Sequence, residues 1–184
     1  MFNFHHRINR ILIKLSYRFG FSKLLSMPKM LALDPTNLCD LKCPLCPTGL
    51  RDKTIERGSI KLEQFKTIID RLAKHLQSIN LYSWGEPLLH KSLVDMIRHT
   101  AISHKVRTIT SVHLGNLSDE QVEGLATSGL NKLIVSVDGA TQEVYEKYRV
   151  GGDIEKVFNN MKRLMEAKKR HNSKLNVVWN FLVM

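Results

Sequence analysis

Five apolar runs recur along the chain, each separated from the next by a stretch of different periodicity. They are MLALDPT from Met30, INLYSW from Ile79, VRTITSV from Val106, KLIVSV from Lys132 and LNVVWNFLV from Leu175. Short runs of this composition, bounded by turn formers, predict β-strands. Between the first two, Leu62, Phe65, Ile69, Leu72 and Leu76 return every three or four positions, which predicts a helix with one apolar face. Ser118 and Gln121 have the spacing of a capping box, and Gly129 marks the stop of the helix they begin. Asp153, just after Gly151 and Gly152, is placed to cap a further helix running towards His171.

Alternating strands and helices predict an α/β fold, a parallel sheet covered by its crossover helices. Two architectures satisfy the pattern: an open doubly wound sheet and a partial or complete β/α barrel. No glycine-rich nucleotide loop follows the first strand; cysteines take that place. The chain stops at Met184, on or just after the fifth strand, where a parallel strand normally needs a covering helix. The expectation is a core domain over 30–184, incomplete at its C-terminal side relative to a larger parent, and a leader over 1–29.

The leader is basic. Arg7, Arg10, Lys14, Arg18, Lys23 and Lys29 all precede the first acidic residue, Asp34, and alternate with Phe4, Ile8, Ile11, Leu12, Leu15, Phe19, Leu24 and Leu25. That mixture predicts an amphipathic helix, either packed on the protein's own body or lying on a partner or membrane surface. Lys14 and Arg18 interrupt the best candidate for a bilayer span, which needs about 20 apolar residues. No small-residue cleavage site of a signal peptide follows. The expected compartment is the cytoplasm, with peripheral membrane contact through the leader left open. Over all 184 residues, 28 Lys and Arg oppose 17 Asp and Glu, a formal charge of +11 that favours acidic partners. No nucleic-acid-binding motif accompanies the charge, which argues against nucleic acid. A hydrophobic content of 43% is that of a folded globular chain rather than a disordered one.

All three cysteines lie in NLCDLKCPLCPTG, at Cys39, Cys43 and Cys46, in the loop leaving the C-terminal end of the first strand. In a β/α architecture that end is the functional face. An odd, clustered set fits poorly with a secreted disulfide framework. Three thiolates can hold three corners of a 4Fe-4S cube and leave one iron without a protein ligand. The alternatives are a zinc site, a cluster closed by an outside ligand, and free thiols of no function. Zinc would want a fourth ligand, and no histidine follows near the cysteines, the first downstream being His75.

The stretch CDLKCPLC resembles the signature of the radical S-adenosylmethionine superfamily. In that family the open iron chelates the methionyl group of S-adenosylmethionine, and reductive cleavage yields a 5′-deoxyadenosyl radical that abstracts hydrogen from substrate. The resemblance implies Cys39, Cys43 and Cys46 as cluster ligands and Leu45, where the family often has an aromatic residue, as a contact to the cofactor. SWGEPLLH resembles the family's glycine-glycine-glutamate-proline motif, with Trp84 in place of the first glycine. Gly85 permits close backbone approach and Pro87 stiffens the turn; Glu86 would accept from the cofactor's ammonium group.

SVDGATQEVYEKYRVGG resembles a segment of members that carry a SPASM or twitch extension. Ser136 and Asp138 alternate with Val137, which would put both polar side chains on one face at the strand end. They are candidates to meet the cofactor's ribose or carboxylate, and Arg149 to pair with the carboxylate. On the third strand His113 stands where the family commonly has asparagine, and Asn180 on the fifth is a candidate to point into the barrel. The resemblance implies a radical enzyme built on a partial β/α barrel of parallel strands, with a 4Fe-4S cluster and S-adenosylmethionine, acting on a peptide or small molecule and reduced by an acidic carrier such as flavodoxin or ferredoxin. No general acid or base is assigned. The alternative is an inactive truncated remnant or a nonenzymatic iron-sulfur module.

Overall fold

The computed structural model describes residues 4–182. Helix α1 (Phe4–Phe19) leads into β1 (Met30–Ala32), and a long loop then runs to α2 (Leu62–Leu72) and β2 (Ser78–Asn80). A short 3-10 turn (Pro87–Leu89) and α3 (Leu93–Arg98), extended by a π-helical turn (His99–Ser103), precede β3 (Arg107–Val112). The rest is α4 (Asp119–Thr127), β4 (Lys132–Ser136), α5 (Gln142–Tyr148), α6 (Ile154–Arg170) and β5 (Asn176–Asn180).

The five strands form one parallel sheet in the order β1-β2-β3-β4-β5. That order decides between the two expected architectures. A doubly wound sheet reverses its strand order at a switch point, whereas consecutive neighbours joined by crossovers of one hand place every helix on one face, as in a β/α barrel. The fold is therefore a partial barrel. Side chains alternate accordingly: Leu133 and Val135 on β4 face the helices and are fully buried, as are Thr108 and Thr110 on β3. Thr110 Oγ1 donates to the Leu81 carbonyl at 2.9 Å, which lets a hydroxyl lie in that layer. Ser111 and Ser136 fall on the other, concave face, half-buried.

The helices begin where their caps predict. Ser118 and Gln121 exchange the two hydrogen bonds of a capping box, at 3.1 and 3.2 Å, and Gly129 takes φ +80° just after the helix ends. Asp153 accepts from the Lys156 N–H at the start of α6, whose last turn carries Lys168, Lys169 and Arg170 against the helix dipole. Phe65 and Ile69 of α2 pack with Met96, Ile97, Leu125 and Leu164 in the layer between helices and sheet.

Three strands stop well short of their apolar runs, β5 ending at Asn180 before Phe181 and Leu182. Runs 30–36 and 79–84 predict long strands, but β1 stops at Ala32 and β2 at Asn80. Beyond them the backbone leaves the sheet to build the loops of the site. The last residue of the fifth run, Val183, lies outside the described residues.

Candidate functional site

Each site loop leaves the C-terminal end of a strand, so the parallel sheet collects them at one end. The cysteine loop is clasped at its base by Thr36 and Asn37. Thr36 Oγ1 donates to the Gly58 carbonyl and accepts from Ser59, while the Asn37 side chain bonds both Glu56 O and Gly58 N. Within the loop, Cys46 N–H donates to Cys43 O at 3.2 Å, which folds the last two cysteines back on each other. Gly49 closes the turn: a Cβ there would lie 2.5 Å from both the nitrogen and the carbonyl oxygen of Cys43.

The other loops are tied to this one. Glu86 N–H donates to Leu38 O, and Lys42 N–H to Val150 O. Gly85 packs so closely that a Cβ would stand 1.9 Å from the Thr36 carbonyl oxygen. The result is a cavity of about 300 Å³ whose wall includes Cys39, Cys43, Cys46, Gly85, Ser136 and Arg149. Leu45, largely exposed, and Glu86 line it as well.

Glu86 is buried, and both its oxygens are engaged: Oε1 accepts from Leu88 N–H at 3.1 Å, Oε2 from His113 N–H at 2.8 Å. Burial pushes its pKa up, against the pull of His113 and those two N–H groups. His113 is equally buried, with Nε2 2.9 Å from Asp40 Oδ1 and 3.3 Å from Glu86 Oε2. Burial alone would lower the pKa of the ring, but the Glu86 charge and the Asp40 hydrogen bond outweigh it and raise it to about 10. Gly115 N–H, aimed at Nδ1 from 3.0 Å, works in the opposite direction by favouring a bare Nδ1. Nε2–H is the donor in either state. Asp40 in turn is held low by His113, and its second oxygen accepts from Asn116.

Arg149 closes the far side. Its Nε donates to Asp138 Oδ2 at 2.6 Å, and Nη1 stands 4.0 Å from Cys43 Sγ. Burial pushes the Cys43 thiol up, an effect the Arg149 charge opposes. The guanidinium lies over the Tyr148 ring, 5.3 Å from its centroid.

Of the residues expected at the site, the three cysteines, Leu45, Gly85, Glu86, Ser136 and Arg149 line the cavity, and His113 joins them. Pro87 is buried outside that lining, at the first position of the 3-10 turn that Glu86 caps. Asp138 also lies outside it. The alternation that would pair it with Ser136 ends with β4 at Ser136, and its oxygens go to Arg149 and to Leu182 N–H. Asn180 is exposed, at the end of β5. Sequence reasoning did not single out Asp40, Gly49 or Tyr148. Their adjacency to the motifs, Asp40 after Cys39 and Tyr148 before Arg149, is the signal that could have found them.

The donor set suits an iron-sulfur cluster. All three thiols are free. Asp40, Cys39 and His113 also bring ligand atoms within 4.8 Å of one another, but there the carboxylate and imidazole are already paired together. Gly85 brings its loop against the Thr36 backbone, which sets that loop in the cavity wall beside the thiols.

Residues 33–184 match the radical SAM superfamily. The AdoMet-dependent heme synthase of Methanosarcina barkeri is 28% identical over 141 residues, covering 76% of this chain and 40% of that protein. The PqqA peptide cyclase of Rhodopseudomonas palustris is 33% identical over 129 residues, covering 68% of this chain and 32% of that one. The chain thus spans less than half the length of these relatives. Streptococcus suis SuiB, in its crystal structure with S-adenosylmethionine, superposes with a TM-score of 0.70 at 18% identity, over 91% of this chain and 37% of SuiB. SuiB has also been crystallised with its precursor peptide SuiA.

Proposed function

The chain belongs to the radical SAM superfamily, whose enzymes use a 4Fe-4S cluster and S-adenosylmethionine, and from that premise we propose that Cys39, Cys43 and Cys46 hold such a cluster here. The observation that carries the reading is one cavity walled by three free thiols, a glycine backbone and an arginine. Three thiolates leave one iron of a cube for a ligand that is not protein. Held there and reduced, such a cluster would supply the electron for cleaving S-adenosylmethionine, and so the adenosyl radical chemistry of hydrogen abstraction.

The remaining residues orient and enclose. Arg149 presents a guanidinium to the methionyl carboxylate, a planar fork for a planar anion. Asp138 acts through Arg149 as a positioning residue. Glu86 accepts from the ammonium group with the lone pairs its two backbone partners leave, and Ser136 offers a hydroxyl to the ribose. Gly85 lets backbone approach, Pro87 fixes the turn behind Glu86, and Leu45 provides an apolar cover for the adenine. These roles belong to a core unit over 30–184, with 1–29 as its leader.

The substrate class we propose is a peptide or small molecule, supported by the peptide cyclase among the relatives. The electron donor we propose is a small acidic carrier such as flavodoxin or ferredoxin, drawn by the net charge of +11. Free thiols at the site fit a reducing, cytoplasmic setting. The test is anaerobic reconstitution of the 184-residue chain, reduction with dithionite, and quantification of 5′-deoxyadenosine. Formation of 5′-deoxyadenosine that is lost in Cys43→Ala supports the reading; an intact, reducible cluster that forms none contradicts the cleavage.

A further inference from the structure

Helix α1 is inverted relative to a helix that packs on a core. Its buried residues are Asn9 and Ser16, while Phe4, Ile8, Ile11, Leu15 and Phe19 are all between 41% and 71% exposed. At 3.6 residues per turn those five fall in an arc of about 80°. They form one continuous apolar stripe open to solvent. Arg7, Arg10, Lys14 and Arg18 run along one flank of it, all exposed.

The side opposite the stripe is the anchored side, with buried Asn9 and Ser16 between half-buried Leu12 and Ile13. Asn9 donates from Nδ2 to Met27 O and accepts from Met27 N–H, both at 2.8 Å, which ties the segment 20–29 against α1. That segment adds exposed Phe21, Leu24 and Leu25, with Phe21 stacked on Phe19 at 5.9 Å between centroids. The periodicity is therefore not used to bury the stripe in the described fold.

We infer that α1 and the segment after it form a peripheral binding site for an anionic phospholipid bilayer. The stripe enters the acyl boundary and the basic flank meets headgroup phosphates. Charge complementarity selects this occupant. Six Lys and Arg and no Asp or Glu precede Asp34, a balance that would repel a second copy of the same face and favours an acidic surface. No helix among the described residues is long and apolar enough to cross a membrane, so the contact is a surface one. Its placement suits the site. The cavity between α1 and the body is walled by Phe4 and His6 from the helix and by Leu76, Gln77 and Lys105, which lie within two residues of the starts of β2 and β3. The helix thus lies towards the N-terminal ends of the strands, and a bilayer bound there leaves the cysteine cavity facing solution. The inference rests on the leader alone and is independent of the cluster.

The test is co-sedimentation of the 184-residue chain with vesicles of phosphatidylglycerol mixed with phosphatidylcholine, against phosphatidylcholine alone, over a range of sodium chloride. Partitioning is expected on the anionic vesicles and to fall as salt rises. Arg7→Glu with Lys14→Glu should weaken it by about 25-fold or more, given roughly fivefold for each basic residue removed. Ile11→Asp with Leu15→Asp should abolish it at an unchanged melting temperature, since neither side chain packs in the core. Equal partitioning on neutral vesicles, no partitioning at all, or binding indifferent to both variants overturns the inference. So does a concentration-dependent dimer in sedimentation equilibrium that the Asp variant dissolves without any vesicle binding, which would make the stripe a contact between copies.

Discussion

Arg149 Nε donates to Asp138 Oδ2 at 2.6 Å, and the Asp138 side chain is completely closed to solvent while that of Arg149 keeps 17% exposure. The pair spans eleven residues, bridging the end of β4 to the end of α5, and aims the free part of the guanidinium at the cysteines. Asp138→Ala strands a half-buried cation and leaves Leu182 N–H without its acceptor. The expected loss is about 3 kcal/mol, the low end for breaking a buried pair, read by urea denaturation. Arg149→Lys keeps the charge and loses the fork, so it should raise the Kd for S-adenosylmethionine with little change in iron content. Unchanged affinity in that variant would remove Arg149 from the cofactor's partners.

Glycines 49 and 85 separate loop shape from chemistry, since neither contributes a functional group. A methyl at 85 would meet the Thr36 carbonyl oxygen at 1.9 Å, and one at 49 the Cys43 backbone at 2.5 Å. Backbone must move in both cases. Gly49→Ala should reduce iron bound per chain, because it displaces Cys43 itself. Gly85→Ala should destabilise by about 1–3 kcal/mol and weaken S-adenosylmethionine binding more than iron loading. Iron content measured beside calorimetric affinity distinguishes the two.

Glu86→Ala would confound binding with folding, because it orphans two buried N–H groups and removes a partner of His113. Glu86→Gln keeps an acceptor for one of the two N–H groups and sets its NH2 against the other, so it is the less disruptive variant and its melting temperature is read beside its binding. Iron content should stay near that of the unaltered chain, while affinity for S-adenosylmethionine falls on the order of tenfold through loss of a charge-assisted contact. Affinity that holds would show the carboxylate to be structural.

Tyr145 supplies a pH test of the packing under the site. It is fully buried between Gly139 and Gly152, and its hydroxyl has no hydrogen-bond partner among the described residues. Burial pushes its pKa up to about 12, against about 10 in the unfolded chain. Folding therefore favours the neutral phenol. Its contribution is complete below pH ~10 and is lost as pH rises towards ~12, up to about 2–3 kcal/mol. Tyr145→Phe should cost little at neutral pH and flatten the alkaline fall in Tm relative to the unaltered chain. Parallel profiles would mean that the hydroxyl is already solvated.

What could be read from the sequence was whatever rested on local chemistry. The β-branched runs of β3 and β4, the Ser118–Gln121 cap and the cysteine spacing each declare themselves within a few residues. What could not be read depended on distant partners. Apolar Leu81 continues the pattern of β2 yet lies beyond the strand, its N–H bonded to Ile109 O and its carbonyl accepting from the Thr110 hydroxyl rather than from a backbone N–H. Asp138 looks like a pocket residue until Arg149 is folded over it. The stripe on α1 was visible, but periodicity carries no information about which side faces inward; the burial of Asn9 and Ser16 shows it.

The central claim is that three cysteines hold a cube with one iron left for S-adenosylmethionine. Mössbauer and EPR spectroscopy of the anaerobically reconstituted chain, before and after adding the cofactor, address it most directly. The account predicts four irons per chain, one of them spectroscopically distinct, and a reduced-cluster EPR signal that shifts on addition of S-adenosylmethionine. Zinc in place of iron, or a signal indifferent to S-adenosylmethionine, would contradict it.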